Sequence, residues 1–86
     1  MRIYKYPLNA TFAPQKVQMP ASHRILAFQM QDDTPTIWAE VNTMSGITDV
    51  DIILAANGQE VPSHNYGYHG TVQGSDGPVY HLYIKS

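Results

Sequence analysis

Six prolines punctuate this 86-residue chain, at positions 7, 14, 20, 35, 62 and 78. Proline is poorly tolerated inside a helix because it lacks an amide hydrogen and its ring clashes with the preceding turn. The apolar residues show no sustained helical period. Between the prolines lie short runs rich in β-branched and aromatic residues, bounded by Gly, Asn and Asp. These features predict a chain made of strands and turns.

Eight strands are predicted, at Arg2–Leu8, Gln15–Met19, Arg24–Met30, Thr36–Val41, Asp49–Ala56, Gln59–Pro62, Tyr66–Gln73 and Val79–Lys85. Turns recur about every eight to twelve residues, which is typical of small sandwiches and barrels. The length allows one domain. We therefore predict a single all-β domain over residues 1–86, a small antiparallel sandwich or partly open barrel built from consecutive hairpins.

The stretch LAANGQEV, at Leu54–Val61, predicts the first hairpin. Asn57-Gly58 suits a type I′ turn, because both central residues of that turn need positive φ. Leu54 then lies opposite Val61. In this register the apolar side chains of Val50, Ile52 and Leu54 share one face of the strand, and the charged side chains of Asp49 and Asp51 share the other.

A second hairpin is predicted from Arg24 to Val41, with a loop over Gln31–Pro35. That loop places Phe28 opposite Trp38 and makes Trp38 a core residue. Both faces of the hairpin are largely apolar, so we expect a second sheet or another subunit to cover each of them. Few charges are available to protect sheet edges. We therefore predict a homo-oligomer, with a dimer favoured.

The third hairpin is the stretch YGYHGTVQGSDGPVYHLY, from Tyr66 to Tyr83. A turn centred on Ser75-Asp76 places Tyr68 opposite Tyr83 and Gly70 opposite His81. Tyr68 and Tyr83 can then form a cross-strand aromatic pair. One face of this hairpin carries an apolar row at period two, which we expect to be buried: Tyr80, Leu82 and Ile84, with Gly67 opposite Ile84.

The other face of this hairpin carries aromatic rings with polar ends: Tyr66, Tyr68, His81 and Tyr83. Tyrosine suits recognition because it offers a large contact area with little side-chain entropy to lose. Two interpretations of this face stay open. It is either a contact surface for a partner or subunit, or a second layer of core. We take the partner-binding interpretation as the working hypothesis.

Composition and charge argue against several classes of protein. The net charge is −2 and the five Lys and Arg residues are scattered singly, whereas a nucleic-acid binder shows them clustered. No stretch approaches the roughly 18 apolar residues of a membrane span, and the N-terminal residues lack the apolar run of a secretory signal. Cysteine is absent, so thiolate chemistry is not available. We therefore expect a cytoplasmic protein that binds neither nucleic acid nor membrane.

Residues able to catalyse a reaction or bind a metal follow no recognised pattern. His64, His69 and His81 match no compact zinc motif, and the predicted hairpin puts His69 and His81 on opposite faces. The serines lack a G-x-S-x-G context. Asp49 and Asp51 lack a glycine-bounded calcium loop. We therefore predict a protein that is not an enzyme, without catalytic, cofactor-binding or metal-binding residues.

Six short elements occur in a fairly distinctive order. They are IYKYPL at Ile3–Leu8, MP at Met19-Pro20, RIL with the following Gln29 in Arg24–Gln29, WAEV at Trp38–Val41, YHGTVQ at Tyr68–Gln73 and VYHLY at Val79–Tyr83. In these elements the chain resembles a small, poorly characterised family of phage and prophage proteins. The resemblance implies a cytoplasmic accessory protein of a mobile element and brings no catalytic residues.

Small accessory proteins of phages often bind and disable host machinery, which is an argument by association. The resemblance therefore predicts a non-enzymatic protein that inhibits a host protein, such as a defence-system component, in the cytoplasm of the host cell. Two alternatives stay open. One is an oligomeric protein that sequesters a small ligand, and the other is a structural or assembly component of the phage particle.

Overall fold

The computed structural model describes residues 1–61 and 64–86. Within these residues the chain forms seven strands: β1 Arg2–Pro7, β2 Gln15–Pro20, β3 His23–Gln31, β4 Thr34–Val41, β5 Ile47–Ala55, β6 Tyr66–Gln73 and β7 Val79–Lys85. All five strand pairings are antiparallel. The predicted all-β class is confirmed. In the same residues, no helix has the length and apolar character that a membrane crossing requires.

Two sheets pack face to face around the core. One sheet has three strands in the order β1-β4-β3, and the other has four in the order β2-β5-β7-β6. The shortest dimension of the molecule is 16 Å, as expected for two layers about 10 Å apart. The buried side chains between the sheets are Leu8, Met19, Phe28, Ile37, Ala39, Val41, Val50, Ile52, Leu54, Tyr80, Leu82 and Ile84.

Consecutive strands account for two of these pairings, β3 with β4 and β6 with β7. The other three pairings, β1–β4, β2–β5 and β5–β7, join strands that are distant in the sequence. β4, β5 and β7 are therefore interior strands, and β1, β2, β3 and β6 are the edges of the two open sheets.

The segment after β5 differs from the predicted hairpin. β5 pairs with β2 over Ile47–Ile52 along one edge and with β7 over Ile52–Ala55 along the other, and neither pairing involves Gln59–Val61. Gln59–Val61 lie outside the strands, and Pro62 lies outside the described residues. Gly58 has a φ of 80°, but Asn57 does not have a positive φ. The predicted hairpin and its type I′ turn are therefore wrong.

A two-residue turn closes the β3–β4 hairpin. Asp32 and Asp33 have φ values of 48° and 64°, the left-handed geometry of a type I′ turn, which aspartate tolerates. Thr34 and Pro35 belong to β4 and not to the predicted longer loop. The shorter loop moves the pairing by one residue, so that Phe28 lies opposite Ile37.

Trp38 consequently lies on the outer face of the three-stranded sheet. It pairs with Lys5 of β1 and Ala27 of β3, and its side chain is half-buried. The prediction that Trp38 is a core residue opposite Phe28 is wrong. Side chains alternate between the faces of a strand, so a shift of one residue is enough to move the indole from the core to the surface.

β6 and β3, an edge strand from each sheet, approach each other at Gly70. A Cβ atom on Gly70 would lie 3.6 Å from Cδ2 of Phe28. The φ of Gly70 is 146°, a conformation open to glycine and strained for other residues. The contact between Gly70 and Phe28 partly closes the sandwich along this side.

Replacing Gly70 with alanine should lower the free energy of unfolding by about 1–3 kcal/mol, because alanine is strained at this φ. Gly67→Ala is the matched control in the same strand. The φ of Gly67 is not positive, and a Cβ there would meet no atom within 4 Å, so alanine should be neutral or slightly stabilising. Urea denaturation measures both variants, and equal unfolding midpoints would contradict the role assigned to Gly70.

Candidate functional site

The β6–β7 hairpin turns one face inward and one outward. Tyr80, Leu82 and Ile84 are buried against the core, as predicted from their spacing. On the opposite, outer face lie Tyr66, Tyr68, His81 and Tyr83, which we call the tyrosine surface. Three of these side chains are half-buried and Tyr68 is exposed. The predicted sorting of the two faces is therefore observed for β7 and for Tyr66–Tyr68 of β6, whereas it is reversed in β6 beyond His69.

Tyr68 and Tyr83 form the centre of the tyrosine surface. They lie directly opposite each other across the β6–β7 pair, as predicted. Their ring centroids are 5.7 Å apart and the ring planes meet at 60°, an edge-to-face arrangement that aromatic pairs favour. Because Tyr68 is 57% exposed, this pair presents aromatic area to solvent.

A β-bulge at His69 changes the pairing beyond the tyrosine pair. Gly70 lies opposite Leu82, and Thr71 lies opposite His81. The predicted pairing of Gly70 with His81 is therefore wrong. A glycine inside a strand is a signal for a bulge, so the His69-Gly70 pair could have been read this way.

A chain of hydrogen bonds follows from the bulge and links four side chains. Tyr68 Oη bonds to Thr71 Oγ1, Thr71 Oγ1 lies 2.8 Å from His81 Nδ1, and His81 Nε2 lies 2.6 Å from Asn57 Oδ1. The amide oxygen of Asn57 can only accept, so His81 Nε2 carries a hydrogen. In a neutral imidazole Nδ1 then accepts from Thr71, and Thr71 accepts from Tyr68.

Thr71 and Asn57 were not among the predicted site residues. Thr71 reaches His81 only because of the bulge, and Asn57 comes from the turn after β5. The network fixes the positions of two rings, those of Tyr68 and His81, before any partner arrives. Preorganised side chains lose less entropy on binding than free ones.

A row of charged residues borders the tyrosine surface. Lys16, Asp51, Lys85 and Tyr66 follow one another across the outer face of the four-stranded sheet. Nζ of Lys16 lies 2.7 Å from Oδ1 of Asp51. This hydrogen bond raises the pKa of Lys16 and lowers the pKa of Asp51. Both groups therefore stay charged across the neutral range, and they give the aromatic surface a polar rim.

The other border of the tyrosine surface is apolar. Ile53 pairs with Tyr83, and Ala55 pairs with His81. Both Ile53 and Ala55 are buried although they lie on the outer side of β5. An open depression of about 230 Å³ lies beside them, with Val61 in its wall. This burial was not predicted, since it depends on where the chain runs after Ala56.

The three histidines considered for a metal site, His64, His69 and His81, do not come together. His81 lies on the outer face, whereas His69 lines a cleft between the sheets and His64 is an exposed residue before β6. Among residues 1–61 and 64–86, no group of three His, Asp or Glu side chains has an arrangement that could hold a metal ion. The outer face offers aromatic contact area, hydroxyl groups and one imidazole for hydrogen bonding.

A family model matches residues 1–86, the full chain, and its description reads Domain of unknown function (DUF7352). The chain therefore belongs to this family. No curated protein and no solved structure matches the chain. The family description carries no activity that transfers to the tyrosine surface.

A double-mutant cycle should detect the Tyr68–Thr71 hydrogen bond. Tyr68→Phe and Thr71→Val each remove one hydroxyl, and we expect a coupling free energy of about 0.5–1 kcal/mol because the pair shares one bond. Tyr68→Phe combined with Thr48→Val is the control cycle and should show no coupling, since Thr48 lies at the far end of β5 on the other face. Urea denaturation supplies the four free energies, and equal results in the two cycles would refute the network.

Proposed function

We propose that this member of the DUF7352 family is a non-enzymatic binding protein that recognises a protein partner through the tyrosine surface. One observation carries the proposal: Tyr68 is 57% exposed, yet its ring is held by Tyr83 on one side and by the hydrogen bond to Thr71 on the other. An exposed aromatic side chain that is already ordered is the kind of residue that dominates protein interfaces.

The surroundings of Tyr68 match the usual anatomy of a protein interface. Aromatic side chains stand at its centre, and the Lys16–Asp51 ion pair and Lys85 lie at one margin. Interface cores are depleted in charge and enriched in tyrosine, and their rims are polar. The overall charged fraction of 14% is below the roughly 25% of an average domain, which also supports a binding role.

We further propose that the protein comes from a phage or prophage and acts in the host cytoplasm. There it would inhibit a host protein, such as a component of a defence system. The support is the resemblance of the six elements from Ile3–Leu8 to Val79–Tyr83 to phage and prophage proteins. A small protein that blocks a partner needs a contact surface and no catalytic residues, and the tyrosine surface is suited to that task.

We propose that the second apolar surface, on the three-stranded sheet, joins two copies in a dimer. Ile3 is 63% exposed and Leu26 is 42% exposed, and the half-buried Trp38 lies between their strands on β4. Leu26 is the extra residue of a bulge between Ile25 and Ala27. Arg24 and Glu40 lie near the same surface, so a two-fold arrangement can place opposite charges across the contact.

Alanine substitutions test the tyrosine surface. Tyr68→Ala and Tyr83→Ala should each weaken capture of the partner by about tenfold or more, since hot-spot side chains contribute 2 kcal/mol or more. Tyr4→Ala is the matched control: Tyr4 is also exposed but belongs to the three-stranded sheet, so capture should be unchanged. Quantitative pull-down of a photo-crosslinked partner from host lysate measures the effect.

A photo-crosslinking residue at position 66, on the tyrosine surface but outside the substituted positions, should label one partner. The same residue at position 47, which replaces an exposed isoleucine at the start of β5, should not. Thermal unfolding of Tyr68→Ala should stay within a few degrees of the parent. Undiminished capture by Tyr68→Ala would show that Tyr68 lies outside the contact. Failure of Tyr68→Ala to fold would show that the ring is structural. Either result would overturn the proposal.

Light scattering at micromolar concentration tests the dimer and should give twice the mass of the 86-residue chain. Leu26→Glu should shift the protein to monomer, because a dimer contact would bury the new charge. Met44→Glu is the control, since Met44 is 90% exposed in the β4–β5 connection. A monomeric parent, or equal dissociation of both variants, would rule out this dimer.

A further inference from the structure

A cleft with a volume of about 610 Å³ lies between the two sheets. It runs beside the N-terminal halves of β3 and β6. Ile25 and Ile84 line its apolar part, and His23 and His69 lie at its margin. Small-molecule sites usually have volumes of about 300–1,000 Å³, so the cleft is large enough to hold one ligand.

A single missing side chain keeps the cleft open. Gly67 of β6 lies opposite Ile84 on the inner face, and a Cβ at Gly67 would meet no atom within 4 Å. Three residues further along β6, Gly70 contacts Phe28 and brings the two sheet edges together. The absence of a side chain at Gly67 therefore leaves space in the cleft beside Ile84.

Two cationic side chains, Arg24 and Lys85, line the cleft, although the chain as a whole has an excess of acidic residues. The chain has seven Asp and Glu against five Lys and Arg. The residues that line this cleft in the described part of the chain nevertheless include Arg24, Lys85, His23 and His69, and they include no Asp or Glu. A cleft with walls of one charge sign attracts ligands of the other sign.

The basic groups keep hydrogen-bond donors for a ligand. Nη2 of Arg24 lies 3.6 Å from Oε1 of Glu40, and the side chain of Arg24 is 72% exposed. A guanidinium has five N–H donors, so this long contact with Glu40 occupies few of them. His23 Nδ1 lies 2.7 Å from the carbonyl oxygen of Pro20 and donates to it, which orients the ring and leaves Nε2 as its second polar atom.

We infer that this cleft binds a small organic anion, a phosphate or carboxylate carried on an apolar or aromatic group. The anionic group lies near Arg24 and Lys85, and the apolar group packs on Ile25 and Ile84. The site is on the inner side of β6, whereas the tyrosine surface is on its outer side. Tyr66 borders both, and Lys85 lies in the polar rim of the tyrosine surface as well as in the lining of the cleft. The inference does not depend on the proposed protein partner.

Titration of the full chain with four probes tests the inference by NMR. Phenyl phosphate and benzoate carry both an anion and a ring, inorganic phosphate lacks the ring, and phenol lacks the charge. We expect one of the first two to bind at least about tenfold more tightly than the last two, since a charge-assisted hydrogen bond contributes about 1.5–3 kcal/mol. The amide signals of Gly67, His69 and Ile25 should move. Comparison of phenyl phosphate with benzoate distinguishes a phosphate from a carboxylate ligand.

Two kinds of variant locate the site. Gly67→Val fills the cleft, and it should reduce binding about tenfold or more while thermal unfolding stays near that of the parent. Gly46→Val is the control, because Gly46 lies in the β4–β5 connection and a Cβ there also meets no atom within 4 Å. Arg24→Gln should weaken binding of the anionic probes severalfold without changing that of phenol, and it keeps the test possible if Gly67→Val does not fold.

Several results would overturn the inference. One is the absence of signal changes at Gly67 and His69 with either organic anion at about 10 mM. Another is that phenol or inorganic phosphate binds as tightly as phenyl phosphate and benzoate. The last is that Gly67→Val and Arg24→Gln both bind the organic anions as tightly as the parent protein.

Discussion

The bulge at His69 is the feature on which both faces of the four-stranded sheet depend. It adds one residue to β6 between Tyr68 and Gly70 while β7 continues without interruption. A bulge of this kind leaves the pairing on one side unchanged and shifts it by one residue on the other. Tyr68 thus keeps its place opposite Tyr83, and Thr71 comes to lie opposite His81.

Both consequences reach beyond the hairpin. On the outer face, the shift allows Thr71 to bridge the hydroxyl of Tyr68 and the imidazole of His81. On the inner face, the shift places Gly70 beside Phe28 of the other sheet. The contact of Thr71 with His81 on the outer face and the approach of Gly70 to Phe28 on the inner face are therefore two results of the same irregularity in this edge strand.

Local sequence patterns were sufficient for a large part of the β6–β7 hairpin. Alternation placed Tyr80, Leu82 and Ile84 in the core and the tyrosine surface outside, and it identified the Tyr68–Tyr83 pair. The same reasoning placed Trp38 wrongly, because two consecutive aspartates adopted left-handed conformations and shortened the β3–β4 loop. A strand repeats every two residues, so an error of one residue in a loop reverses the faces of the whole strand.

The sequence by itself determined that the chain is all-β, because the distribution of prolines excludes long helices. It also determined which side chains of β5 and β7 are buried between the sheets, because alternation with a period of two is a property of each segment alone. Beyond the β3–β4 and β6–β7 hairpins, the tertiary structure alone decided which strands pair. The Asn57-Gly58 pair favoured a hairpin after β5, but the observed neighbours of β5 are β2 and β7, which are distant from it in the sequence. Strands that are distant in the sequence pair because they bury a common core. A local sequence pattern therefore does not predict which of them will be neighbours. The network of Tyr68, Thr71, His81 and Asn57 depends on that outcome, because it joins the β6–β7 hairpin to the turn that leaves β5.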